Sequence, residues 1–598
     1  MNEYDSRYRW RRAGRYLVGQ TIALLAFEGL FDPIEDRKSG STRYRFELGL
    51  ATWSFSGTYD AAGYWIVEPE SIRREPELDD EQVLFEQIII DLGKVLKWDG
   101  ATQAEMLVEA LSTHRAEDRV FLNSLSAKSL AALDFAELDA HQNGHPSMVL
   151  NKGRIGFSTS DWEAYAPESS KLISVVWIAA HSSIAEVALL GNVEWNAFTL
   201  KTVSDKAGRD MEAKLADSSK EYGWDVRDFV YVPVHPHQWD NVVQLHYAPF
   251  IADGRITFLG LSEDQYRSLQ SVRTLKNISN PCAPDLKLAL HIRNTLVYRG
   301  LSREYCLAAP AITSWIKDIQ QNDHYLSRGV RFHLLGEFAG VSVRNTMFGG
   351  LSESPYHYHD LFGAIFREPI EQVVSVNEKA RSVASLLRLC PDGSSLLAVL
   401  VENSGVGAVQ WTRDFFHALL PGLLHFLYAY DIGFCPHSEN TIVIFDDSDR
   451  PVGAAIKDFS GDLMVLADGR TDLSDPPLEA SPGIRRLTPD KLAHSVLTSV
   501  VLGTARNMSR VLSKALDVDG SLVWSIIRSE IQGYEQQFPN LVQNGEKYNL
   551  QGLDFERLCF NRDQFLGVHH HDRSEMDDAF VLGVGRVRNP LHAVEVTG

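Results

Sequence analysis

Along the chain the apolar positions change period several times, and each change marks a different kind of element. Leu17, Val18, Leu24 and Leu25 share one face of a helix near the N-terminus. An amphipathic helix with an Asp/Glu-rich start is predicted over Asp79 to Leu96, and helical segments over Trp98 to Glu137, with a break at Asn123-Ser124-Leu125-Ser126. Between these, Tyr44 to Leu48 and Tyr64 to Val67 read as strands that could pair. Strand patterns then dominate: Phe229 to Val234, Ile256 to Gly260, Leu286 to His291 and Phe332 to Leu335. After Glu371 the pattern turns mainly helical, at Trp411 to Tyr430, Pro489 to Leu516 and Ser521 to Tyr534. One hairpin interrupts it. Thr441 to Phe445 is apolar, Asp446 to Pro451 is a polar turn, and Val452 to Ile456 returns. The sequence therefore predicts a multidomain α+β protein, divided at 1–142, 143–370 and 371–598, with a mixed α/β middle and a mainly helical last part carrying the hairpin. It contains no internal repeat or long linker, so the parts are expected to pack together.

The 598 residues suffice for two to four cores. A net charge of −21 argues against nucleic acid as a partner, because phosphate backbones need a basic field. Against that background a local cluster of Arg and Lys is informative. Five scattered cysteines without Cys-x-x-Cys fit a reducing compartment. No apolar run reaches membrane-spanning length. Arg9-Trp10-Arg11-Arg12 before Thr21 to Phe27 resembles a signal peptide, but Glu28 follows at once and no cleavage site appears, so a cytoplasmic protein with no membrane role is expected.

The hairpin holds the densest chemistry. His437-x-x-Asn440 precedes its first strand and Lys457-Asp458-Phe459 follows its second. Antiparallel pairing would return Asp458 to the side of Asn440. An amide oxygen beside a carboxylate suits Mg²⁺, which keeps waters and takes its other ligands from phosphate. Two basic segments could face it. Asn143-Gly144-His145-Pro146 leads into Asn151-Lys152-Gly153-Arg154, where glycines would allow close approach of an anion and the two cations would neutralise it. Ser271-Val272-Arg273-Thr274 is followed by Lys287, Asn294-Thr295 and Arg299. If Leu286 to Val297 alternates as one strand, then Lys287, His291 and Arg293 share a face, with Thr295 and Arg299 in the same parity. His235 in Val234-His235-Pro236-His237 reads as structural, and the internal His569-His570-His571 is not expected to bind metal. No P-loop, dinucleotide fingerprint, nucleophile elbow or HExxH motif is present.

Taken in order, GHP with KGRIGF and YAPE, VPVHPHQ, Ser-x-Arg-Thr, NTLVYRG and HSENT…KDF resemble the IucA/IucC family of siderophore synthetases that work independently of nonribosomal peptide synthetases, the citrate-activating members in particular. The resemblance implies a hand-like fold of thumb, fingers and palm, with ATP and Mg²⁺ as cofactors. It also implies activation of a carboxylate of citrate or a similar acid as an acyl-adenylate, followed by capture by an amine or alcohol. Homodimers and small-molecule partners only are expected. Carried over by position, Ser271, Arg273, Thr274, Lys287, Lys152 and Arg154 would bind ATP phosphates. His437 would contact the acyl-phosphate region, with His437, Arg299 and Lys287 as the catalytic set. His145, Thr295 and Arg299 would meet the acid, and Asn440, Asp458 and Glu439 the metal.

The chain departs from the family at Cys435, where an acidic residue is usual two before the His, and at Glu439, where Gln is usual. Either Glu439 supplies the missing carboxylate, or the site holds Mg²⁺ more weakly. Two other readings compete. A small-molecule kinase would use the same His/Asn/Asp hairpin. A non-catalytic iron- or siderophore-handling protein would need a cysteine cluster.

Overall fold

The computed structural model describes residues 6–36, 43–78, 83–295, 297–390, 392–469, 475–566 and 583–592. His569 to His571 and the first residues of the helix expected from Asp79 lie outside them.

The N-terminal part packs the helix Ser6–Phe27 against the helices Leu84–Leu96 and Gly100–Leu122 and a five-stranded antiparallel sheet. Leu17, Val18, Leu24 and Leu25 are all buried, as their helical spacing requires. Gly100–Leu122 begins with Asp99 accepting from Thr102 N. The break at 123–126 is real: Ser126 caps a new short helix, Ala127–Ala132. The strands over 44–48 and 64–67 share a sheet but are not neighbours. Ala51–Tyr59 runs between them, pairing with Arg43–Leu48 on one side and Trp65–Val67 on the other.

The middle of the chain forms an eight-stranded sheet with every neighbouring pair antiparallel. Its centre brings Thr274–Asn277, Asp285–Leu288, Gly363–Arg367 and Glu337–Val343 side by side in that order. These strands are fully or almost fully buried; GAIFR and EFAGVSV are mainly apolar, whereas TLKN and DLKL carry lysines and an aspartate whose charges are paired inside. The helix Arg303–Asn322, capped by Ser302, lies so close to this sheet that a Cβ at Gly340 would stand 1.9 Å from Cys306 O.

The single strand expected from Leu286 to Val297 is broken. Asp285–Leu288 belongs to the large sheet, while Leu290–Asn294 bulges and folds back on Val297–Arg299 through Thr295, whose φ is +49°. Parity is lost at the break, so the cations do not share a face. Arg293 turns to Glu105 and Glu109 on the helix Gly100–Leu122, and His291 stacks on Tyr298.

The C-terminal hairpin forms as the sequence indicates: Thr441–Phe445 pairs antiparallel with Pro451–Ile456. Phe332–Leu334, from the middle of the chain, adds to it in parallel, and Lys379–Ser382 closes the other edge. Helices Gly407–Tyr430, Arg506–Leu516 and Ser521–Gln537 pack around this sheet. Their apolar side chains form one continuous core with those of Ser6–Phe27, and the large middle sheet has a core of its own. Glu28, 2% exposed, is central to the first core. It accepts from Asn561 N at 3.1 Å and Asn561 Nδ2 at 2.7 Å, and burial pushes its carboxyl up to about 7.

Candidate functional site

The end of the hairpin meets the centre of the middle sheet, and charged side chains from both converge there. Lys287, on the strand Asp285–Leu288, donates to Glu337 Oε1 at 2.9 Å and lies 3.2 Å from Asp458 Oδ1. Arg367 bridges Asp458 (3.1 Å) and Asp285 (2.9 Å). Glu337, fully buried, also accepts from Ser460 N at 2.9 Å. Burial alone would raise the Asp458 carboxyl, but Lys287, Lys457 and Arg367 outweigh it and hold it well below the carboxylate range. Burial likewise opposes the charge on Lys287, yet Asp458 and Glu337 together raise it. Within this network Asp458 holds a φ of +63°, in the left-handed region that Asp tolerates better than most side chains.

Among the described residues no hydrogen bond joins Asn440 to Asp458. Its amide Nδ2 reaches Asp462 Oδ2 at 3.4 Å, and its carbonyl accepts from Lys457 N. Asp462 is raised by burial and further by Asp458, with Arg485 opposing. The Asn440 amide thus stands beside Asp462, whose charge interacts with that of Asp458, and two carboxylates with an amide are hard-oxygen donor types that fit Mg²⁺. Among the described residues no group of three or more His, Cys, Asp or Glu side chains is placed to hold a metal ion by itself. Glu439, expected here, is placed otherwise: its charge acts on His145, Arg299 and Asp139. Asp462 takes the position beside Asn440.

Two arginines face this group without a carboxylate of their own. Arg273 donates to Gly300 O and makes no ion pair among the described residues, and burial lowers its affinity for the proton. Arg299 has neither hydrogen bond nor ion pair there, its buried Nε is unpartnered, and burial, with Arg273 adding repulsion, brings it down to about 10. A desolvated guanidinium without a partner is costly, and an anionic ligand would relieve both. The turn that presents Arg273 is held by Asp139, which accepts from Gln270 N at 2.6 Å, and by Ser271 Oγ accepting from Thr274 N. Val272 within it has a φ of +66°. Thr274 itself pairs across the sheet with Lys287. Thr295 Oγ1 donates to Asn294 O at the tip of the ribbon that carries Arg299.

His145 and His437 stand edge to face, centroids 5.2 Å apart. Burial is the main cause that keeps both rings neutral, with Arg299 adding to it at His145, and His145 and Lys457 at His437. His437 Nδ1 accepts from Glu439 N, which leaves Nε2 as the protonated position. Beside the pair opens a cavity of about 340 Å³, lined by Met464, Leu487 and Phe560 with Thr498 and Lys491 at its polar side. Cys435 is on its wall, its thiol pushed up by burial.

Lys152 and Arg154 have another task. Arg154 grips Glu168 with two bonds of 2.7 and 2.9 Å, and Lys152 lies 3.3 Å from Glu168 and 3.4 Å from Glu117, all of them buried. Burial would raise Glu168, but the two cations hold it down to about 2. With their charges already matched, they secure the loop 143–168 and do not supply free positive charge to a ligand. His235 is structural as expected, capping Pro236–Gln238 and kept neutral by burial down to about 3.

Glu337, Arg367, Asp285, Asp139 and Asp462 were not singled out from the sequence. The available signal was a charge at the end of an apolar strand, as in GAIFR and EFAGVSV. Without the strand order it cannot be told which charges meet.

The profile of the IucA / IucC family matches residues 134–388. The rhizobactin siderophore biosynthesis protein RhbF of Rhizobium meliloti is 28% identical over 98% of this chain and 96% of its own length. Through that segment the chain is similar to the IucA/IucC family. Putrebactin synthase of a Shewanella strain is 28% identical, covering 93% of this chain and 87% of its own. Among solved structures, aerobactin synthetase IucC of Klebsiella pneumoniae superposes with a TM-score of 0.84 at 24% identity, over 98% of both chains. Petrobactin biosynthesis protein AsbB of Bacillus anthracis gives 0.83 at 23%, over 99% of this chain and 98% of its own. These two share the fold, and the multidomain α+β class expected from the sequence holds. Residues 409–578 also match the profile of the ferric iron reductase FhuF-like transporter. An iron–sulfur centre would need clustered cysteines, whereas all five are free and four are buried.

Proposed function

We propose that this protein is an ATP-dependent siderophore synthetase of the IucA/IucC family that activates a carboxylate of citrate, or of a related polycarboxylic acid, as its adenylate and joins it to an amine or alcohol. The observation that carries the reading is the pair Arg273 and Arg299, half-buried and without ion-pair partners among the described residues, opposite Asn440, Asp458 and Asp462. It agrees with the names of relatives aligned over nearly the whole chain.

In this reading adenosine fills the cavity beside His437, and the phosphates run toward Arg273 and Lys287. The acid lies against Arg299, Thr295 and His145. Mg²⁺, held by Asn440 and Asp458 with Asp462 beside them, would offset phosphate charge. A carboxylate oxygen attacks the α-phosphorus while the bond to pyrophosphate breaks. The acceptor nitrogen or oxygen then attacks the acyl carbon, AMP leaves, and the acceptor loses one proton. Both steps crowd negative charge, so fixed cations that need no reorganisation lower the barrier. Arg273 and Arg299 are such cations, and the protein has prepaid their desolvation.

Incubation with ATP, Mg²⁺, hydroxylamine and single acids (citrate, 2-oxoglutarate, succinate) tests this. Hydroxamate and pyrophosphate are expected with citrate. Release of ADP and inorganic phosphate would instead support a kinase.

A further inference from the structure

Gln238, the last residue of the VPVHPHQ motif, is fully buried at the end of the short helix Pro236–Gln238. Its amide bridges two segments: Oε1 accepts from His291 N at 2.7 Å, and Nε2 donates to Leu361 O at 2.6 Å. His291 lies in the bulge of the ribbon 290–299, where the ladder gives it no partner across the strands. Gln238 supplies the acceptor that the bulge takes away. Leu361 ends a strap, residues 354–361, that runs along the other strand of the same ribbon.

That strand, Val297–Arg299, presents Arg299, and among the described residues no further strand pairs with its outer edge. The strap takes the vacant place. The Tyr356 hydroxyl accepts from Tyr298 N at 3.1 Å, and Asp360 O accepts from Leu301 N at 3.0 Å. The Tyr298 ring is held between those of His291 and His357, with centroids 4.9 and 4.2 Å away. Gly300 makes the close approach possible, since a Cβ there would stand 2.6 Å from both Cβ and the carbonyl oxygen of Asp360.

We propose that Gln238 and Tyr356 are positioning residues for the acid site, clasping the ribbon from both sides so that Arg299 stands fixed before any substrate arrives. Arg299 has no protein partner among the described residues to hold its guanidinium, so its place is set by the backbone that carries it. Only an amide serves at position 238: a glutamate could accept from His291 but not donate to Leu361, and a leucine could do neither. The inference rests on the synthetase reading above and adds to it two residues that touch no substrate.

Tyr356→Phe keeps the ring and deletes the acceptor, at a half-buried position where the fold is not endangered. Hydrogen exchange read by mass spectrometry should show the amides of 297–301 exchanging about tenfold faster than in wild type. KM for citrate should rise about fivefold while KM for ATP stays within about twofold, because Arg273 sits on a turn of its own. Gln238→Glu should move exchange and the citrate KM in the same direction. His359→Gln alters the strap at an exposed ring that bonds Ser354 and not the ribbon, and should change neither. Unchanged exchange in Tyr356→Phe, a rise in KM for ATP as large as that for citrate, or equal losses in His359→Gln would overturn the assignment. Exchange needs no turnover, so it judges the clasp even where the hydroxamate assay fails.

Discussion

Replacing Lys287 by methionine removes one positive charge from a buried network while nearly conserving volume. Asp458 keeps Arg367 at 3.1 Å, but among the described residues Glu337 loses the one cation bonded to its carboxylate and retains the Ser460 amide. Breaking a buried pair in this way costs about 3–5 kcal/mol. Urea denaturation of wild type and Lys287→Met at pH 7.5 measures this. Adding Glu337→Gln should recover most of the stability at pH 7.5, while pyrophosphate release stays about 10²–10³-fold down for want of the phosphate-facing cation. A deficit below about 1 kcal/mol, or a double variant no more stable than the single, would refute the network as drawn.

Three further outcomes are expected. Arg299→Ala should lower kcat/KM for the acid by about 10²–10³-fold yet leave the urea midpoint unchanged or raised, since no ion pair is lost; a drop of several kcal/mol would mean the side chain supports the fold. Asp462→Asn should raise the Mg²⁺ concentration needed for half-maximal activity at least tenfold, whereas Glu439→Gln should not; the reverse order in a metal titration would return Glu439 to the metal. For His235, with a folded value of about 3 and an unfolded one near 6.5, the native state resists a proton that the unfolded chain accepts. Stability is lost as pH falls below 6.5, by about 2 kcal/mol at pH 5. In His235→Gln that share of the acid sensitivity should vanish, and identical pH profiles for the two proteins would contradict the assignment.

The elements that carry local signals were legible before any coordinates. The hairpin at 441–456 announces itself by an apolar run, a turn of Asp and Pro, and a second run. The first helix does so by its spaced leucines. What failed depended on long-range order. Leu286 to Val297 has the alternation of one strand, but alternation does not report a bulge and a left-handed turn at Thr295. Lys152 and Arg154 stand in a glycine-rich turn that the sequence assigns to phosphate; their partner Glu168 lies in the same motif, yet only the fold shows that the three side chains are sealed together. Asp462 sits four residues beyond the Asp458 that was chosen. Only the path after Phe459 shows that Asn440 reaches the later carboxylate. Charge type was thus readable, and charge pairing was not.

Glu28 bonded to Asn561 has a consequence for biogenesis. The first helix emerges from the ribosome more than five hundred residues ahead of the segment that completes its packing. Its apolar side must therefore wait, shielded by a chaperone or by provisional contacts, until synthesis is nearly over. Slowing translation of the last hundred codons should lengthen that vulnerable interval and expose nascent chains to proteolysis.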